Sequence, residues 1–158
     1  MLMNTPHYLT AAKFEELKKE LEQARTVRRL EVAKELEYAK GLGDLSENAE
    51  YQQAREMQMN LEERISQLEI IIKDASIVNE KSGSKEAVSI GSKVSISKKG
   101  QSEQMTYVVV GSEEADVSTG RLSISSPLAT AMLGKKKGES FKVVTPKGAT
   151  EYVVVAIM

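Results

Sequence analysis

The sequence predicts an α+β chain: an antiparallel helical hairpin of the coiled-coil kind, followed by a small β-rich domain carrying one short helix. Three observations predict it. Two long runs place apolar residues three and four apart, a glycine-bearing turn joins them, and beyond residue 87 the pattern changes to short β-branched runs separated by glycines.

The first helix is read from Leu9 onward, with Phe14, Leu17, Leu21 and Ala24 in helical spacing, then Val32, Leu36 and Ala39 after a polar patch. Thr10 is a suitable N-cap, and no proline interrupts Thr10 to Lys40. Gly41 and Gly43 supply the stop, because glycine accepts the left-handed geometry common just past a helix end. The second helix carries Ala54, Met57, Leu61, Ile65, Leu68, Ile72 and Ala75 in a segment free of Gly and Pro. Neither helix buries its apolar stripe alone, so the two should pair antiparallel as a rod about 45 Å long at about 1.5 Å per residue. The charged outer positions, such as Lys18, Lys19, Glu20, Glu62 and Glu63, read as a solvated face.

Residues 80–87 lose periodicity and gain small polar side chains, the composition of a linker, so the expected division is 1–79, a linker at 80–87, and 88–158. Gly83 is expected to leave that linker free to reorient. Strands are expected over Val88–Ser97, Gln104–Val110, Leu122–Ser125, Ser140–Thr145 and Thr150–Ile157. Ser126-Pro127-Leu128 opens a short helix, since serine caps well and proline is favoured in the first helical position, and Gly134 closes it.

Charge and composition narrow the function. Residues 1–79 hold 11 Lys and Arg against 15 Asp and Glu, and residues 80–158 hold 11 against 8. Neither half is basic enough for an autonomous DNA-binding domain, so nucleic acid is expected to be met alongside a protein partner. Cysteine is absent and His7 is the single histidine, which excludes disulfides and makes zinc a poor fit. With no apolar run long enough to span a bilayer and no leader-like start, a cytoplasmic protein without membrane contact is expected. Phosphate-loop, zincin and nucleophile-elbow motifs are missing, so the chain does not read as a self-contained enzyme. His7 reads as a surface residue, and Lys135-Lys136-Lys137 as a solvated turn with nucleic-acid contact as the alternative.

The interhelical turn is where chemistry is expected. Asp44 and Glu47 are three residues apart at a helix start, so both carboxylates project near one end of the rod. Spacing alone favours a capping box, Asp44 accepting from the Glu47 backbone, although a carboxylate has lone pairs enough to cap and also meet a metal. Two exposed carboxylates hold Mg²⁺ weakly and need ligands from a substrate phosphate or another protein. Such a tip completes a site, and a long narrow rod can carry it into a deep channel.

The run Gly43-Asp44-Leu45-Ser46-Glu47-Asn48-Ala49-Glu50-Tyr51, continuing into Ala54-Arg55-Glu56, resembles the tip of the Gre family of transcript cleavage factors. Val27-Arg28-Arg29 and the segment from Ser126-Pro127-Leu128-Ala129 to Leu133-Gly134-Lys135 are similar to further segments of that family. The resemblance implies an FKBP-like C-terminal domain that docks on bacterial RNA polymerase, and a coiled coil that enters the secondary channel. It implies that Asp44 and Glu47 hold a Mg²⁺ shared with polymerase aspartates and orient the attacking water, with Gly43, Leu45, Asn48 and Tyr51 supporting the tip. Tyr51 is left between RNA or channel contact and packing at the hairpin neck. Arg28, Arg29 and Arg55 fall where the family carries a basic patch for the nascent RNA 3′ end; pairing with nearby Glu31 or Glu56 is the competing reading. The small patch points toward the GreA type. A monomeric accessory factor stimulating cleavage of backtracked RNA is expected, against two rivals: a non-cleaving channel regulator and a coiled-coil adaptor.

Overall fold

The computed structural model describes residues 6–44, 48–79 and 83–158. The chain divides into two compact units: residues 14–74, and residues up to Lys13 together with Ala75–Met158.

The first unit is the helical hairpin. Its first arm runs through α1 (Ala11–Gln23), a π-helical turn (Ala24–Arg28) and α2 (Arg29–Lys40); its second arm is α3 (Ala49–Lys73). The single helix expected over this stretch is therefore continuous but changes its winding once. The buried residues of the first arm are Leu17, Ala24, Val32 and Ala39. The middle interval is one residue longer than a heptad, and the π turn sits inside it and absorbs the extra residue. Within the turn the Arg29 N–H donates to Ala24 O, five residues back, and the Thr26 hydroxyl donates to Glu22 O at 2.7 Å. The facing seam on α3 is Ala54, Ile65, Leu68 and Ile71. Ile71 is buried where the sequence pointed to Ile72, which is half-buried.

Both arms end earlier at their base than the apolar spacing suggests. Leu9 lies in β1 (His7–Leu9) and Ala75 in β2 (Ala75–Ile77), which pair in parallel with Leu9 opposite Ile77. Leu9 is fully buried there. Thr10 does cap α1: its Oγ1 accepts from the Lys13 N–H at 3.2 Å. Its own N–H donates to Glu114 Oε1 at 2.6 Å, and the other carboxylate oxygen accepts from Arg121 Nη2 at 2.5 Å.

The second unit is built on a five-stranded sheet of order β5-β4-β3-β7-β6: β3 (Lys93–Lys98), β4 (Gln104–Val110), β5 (Arg121–Ser123), β6 (Ser140–Thr145) and β7 (Gly148–Ile157). All pairs are antiparallel except β4 with β5. One helix, α4 (Pro127–Met132), is capped by Ser126 Oγ, which accepts from the Ala129 N–H at 3.1 Å. Its Ala129 and Met132 join Val94, Ile96, Val109, Phe141 and Val154 in the core. The architecture is the expected small β-rich domain with one short α-helix. The first strand starts at Lys93, not Val88, because Gly91 takes a left-handed φ of 83° and turns the chain; Val88 bonds instead to Lys135 O and Gly134 N–H.

The base of the hairpin differs from the division expected at 80–87. β1 and β2 belong with the sheet unit, because Tyr8 lies against Gly111 and Thr10 is held by Glu114. Of the expected linker, residues 80–82 lie outside the described residues. Gly83 is not free: a Cβ on it would stand 2.8 Å from Ser92 Cα, and Ser84 N–H donates to Ser89 Oγ at 3.1 Å.

Candidate functional site

The tip of the hairpin follows from how α2 ends and α3 begins. Gly41 N–H donates to Tyr38 O at 3.0 Å and Leu42 N–H to Ala39 O at 3.2 Å, drawing the last turn of α2 tight. Gly41 itself stays right-handed at φ −72°, so of the two glycines expected to break the helix only Gly43, at φ 120°, requires the freedom of glycine. Asp44 follows, exposed. Leu45, Ser46 and Glu47 lie outside the described residues.

The expected capping box involves Glu47 and so lies outside the described residues. The N-cap of α3 is Asn48, whose Oδ1 accepts from the Tyr51 N–H at 3.1 Å. The same carboxamide reaches the other arm, Nδ2 donating to Ala39 O at 2.7 Å. One side chain thus joins the last turn of α2 to the first turn of α3. Tyr51 is half-buried.

Further along the arms, Arg28 Nη1 meets Glu31 Oε2 at 2.8 Å, the intrahelical partner expected. Arg29 pairs across the hairpin, Nε and Nη2 reaching the two carboxylate oxygens of Glu62 at 2.7 and 2.6 Å. Its hydrogen bond to Glu62 raises the Arg29 pKa and lowers that of Glu62. Arg25 also pairs across the hairpin, its Nη2 meeting Glu69 Oε1. Arg55 is exposed and has no ion pair among the described residues. These cross-hairpin partners were missed in the sequence, although Arg29 and Glu62 stand roughly equidistant from the turn, where antiparallel arms bring residues opposite.

Among the described residues no three Asp, Glu, His or Cys side chains stand close enough to hold a metal ion. Among the described residues of the tip, Asp44 carries a hard carboxylate oxygen. That chemistry suits Mg²⁺ as a partial ligand set, to be completed by other oxygens.

The sheet unit has a cleft of about 320 Å³ between β1 and the end of β4, lined by His7, Tyr8, Gly111, Ser112, Ile124 and Ser125. On its rim the hydroxyls of Ser112, Ser123 and Ser125 bond to one another at 2.7–3.1 Å. Lys136 and Lys137 are exposed, the Lys136 N–H donating to Glu139 Oε2 at 2.7 Å.

Residues 7–77 match the family described as "Transcription elongation factor, N-terminal", and residues 83–158 match "Transcription elongation factor, GreA/GreB, C-term". The chain belongs to the GreA/GreB family of transcription elongation factors. It is 41% identical over 149 residues to the transcription elongation factor GreA of Streptococcus sanguinis, covering 94% of this chain and 93% of that one. With GreA of Rickettsia felis it shares 40% over 155 residues, 98% and 96% of the two chains. Among solved structures it is similar to the GreA factor homolog 1 protein of Thermus thermophilus, with 32% identity, coverage of 98% and 99%, and a TM-score of 0.45. The GreA/GreB match runs through both units, so the hairpin tip and the sheet unit belong to one factor. No helix among the described residues is long and apolar enough to cross a membrane.

Proposed function

We propose that this chain is an accessory factor that enters the secondary channel of bacterial RNA polymerase and stimulates hydrolysis of the 3′ end of backtracked nascent RNA. The observation that carries the proposal is Asp44, an exposed carboxylate set beyond a left-handed glycine at the closed end of a two-helix rod, in a GreA/GreB-family chain. Asp44 and Glu47 hold a Mg²⁺ jointly with polymerase carboxylates. When bound, that ion stabilises charge on the attacking and leaving oxygens of the phosphodiester. The chain is not itself an enzyme on this reading, because its own carboxylates supply only part of the ligand set.

Arg28, Arg29 and Arg55 meet phosphates of the displaced RNA. The Arg28 and Arg29 pairs are exposed, their side chains 45–61% accessible, and solvent-screened pairs of this kind are weak, so exchanging a carboxylate for a phosphate costs little. The sheet unit docks on the polymerase. The factor works as a monomer in the cytoplasm.

The test replaces Asp44 and Glu47 with alanine together and assays a stalled elongation complex. Cleavage should fall about a hundredfold or more, the scale of losing several kcal/mol of charge stabilisation, with polymerase binding retained. Wild-type protein that slows nucleotide addition without releasing RNA fragments would replace this reading with a non-cleaving regulator.

A further inference from the structure

Resting on that reading of the tip, we infer that Asn48 is a positioning residue, a clamp that fixes the two ends of the tip loop so that Asp44 is presented in one place. A helix N-cap needs only an acceptor for the backbone N–H groups of its first turn. Asn48 supplies it through Oδ1 to Tyr51 N–H at 3.1 Å. Serine, threonine or aspartate would serve there equally well. Capping therefore leaves the second half of the carboxamide unexplained.

That half donates to Ala39 O at 2.7 Å, the shorter of the two bonds. Ala39 is buried in the seam and sits in the last turn of α2, so its carbonyl belongs to a rigid part of the first arm. The carbonyl already accepts from Leu42 N–H at 3.2 Å, and its second lone pair takes the Asn48 donor. One rigid carbonyl thereby governs where the chain leaves α2, through Leu42, and where it rejoins α3, through Asn48. Asp44 lies between those two anchored points. A carboxylate on a short loop loses less freedom on meeting a metal when both loop ends are already fixed, the general advantage of preorganisation. The carboxamide does both tasks with two separate atoms, Oδ1 and Nδ2, whereas serine has a single short-reaching oxygen and an ionised aspartate has no donor.

The test uses two full-length variants that keep the cap and lose the clamp, Asn48→Ser and Asn48→Asp, beside wild type and Asp44→Ala. Helix content and polymerase affinity should stay at wild-type values in both. Backbone amide exchange should quicken at Leu42 and around Asp44 but not at Tyr51, a readout independent of activity. RNA cleavage at limiting Mg²⁺ should drop about tenfold, with the half-saturating Mg²⁺ concentration rising and much of the rate returning at high Mg²⁺. Asp44→Ala should not be rescued in this way. Wild-type cleavage across the whole Mg²⁺ range in both Asn48 variants overturns the inference, as does loss of helix content or polymerase binding, which would make Asn48 a folding residue only. Full cleavage by Asp44→Ala overturns the reading of the tip itself.

Discussion

Gly111 has no room for a side chain. A Cβ built there would lie 1.7 Å from the carbonyl oxygen of Tyr8 and 2.8 Å from its carbonyl carbon. Both are backbone atoms of β1, so the clash is relieved only by moving the strand. Gly111→Ala should therefore destabilise the fold by about 1–3 kcal/mol, the usual scale for overpacking, and lower the thermal midpoint by roughly 3–10 °C. A circular-dichroism melt decides it; an unchanged midpoint would mean that β1 does not hold this position in solution. In the sequence Gly111 read as one more separator between strands, because close approach by a residue more than a hundred positions away leaves no local signature. Asp44 was the opposite case: its place in the turn followed from apolar spacing on either side. The Asn48 cap did not, because the reach of its carboxamide across to Ala39 O in the other arm leaves no local spacing signal.

The π turn is the element whose origin is clearest in the spacing of the chain. Leu17 and Ala24 are a heptad apart, as are Val32 and Ala39, but Ala24 and Val32 are separated by one residue more. Without a change of winding, Glu31 and Tyr38 would face α3 in place of Val32 and Ala39; Tyr38 is in fact 69% exposed. Removing one residue inside the turn should restore an uninterrupted heptad seam. Deleting Thr26 is accordingly expected to leave the thermal midpoint within a few degrees of wild type. Deleting Lys34, between Val32 and Ala39, breaks the second heptad, turns Ala39 out of the seam, and should cost several times more. Equal losses from the two deletions would show that the turn does not act as a register insertion. The helices, the five-stranded sheet and α4 were legible because each rests on periodicity or on a capping pattern within its own segment. The two three-residue strands at the hairpin base were not, since Leu9 and Ala75 continue the helical spacing and only their pairing with each other makes them strands.

At the scale of the whole molecule, the sheet unit is assembled from both sides of the hairpin in sequence. β1 precedes α1 and β2 follows α3, and parallel neighbours of this kind need a crossover connection; here that connection is the hairpin itself. The sheet unit consequently depends on residues before the hairpin: Leu9 is fully buried, and the Glu114 carboxylate, 5% exposed, accepts from both Thr10 N–H and Arg121. Removing 6–13 leaves Glu114 with one partner fewer and uncovers the apolar surface under Leu9, a burial worth about 1.5–3 kcal/mol. Replacing 14–74 with a flexible glycine-serine linker retains both contacts. A chain of that second design should melt cooperatively, whereas a chain beginning at Ala75 should melt at least several degrees lower. Under the proposed function the linker-bridged chain should also compete with the full-length factor for polymerase while stimulating no RNA cleavage, because it keeps the docking unit and lacks Asp44. Equal midpoints for the two designs would mean that β1 is dispensable to the unit, and failure to compete would move the docking surface to the hairpin.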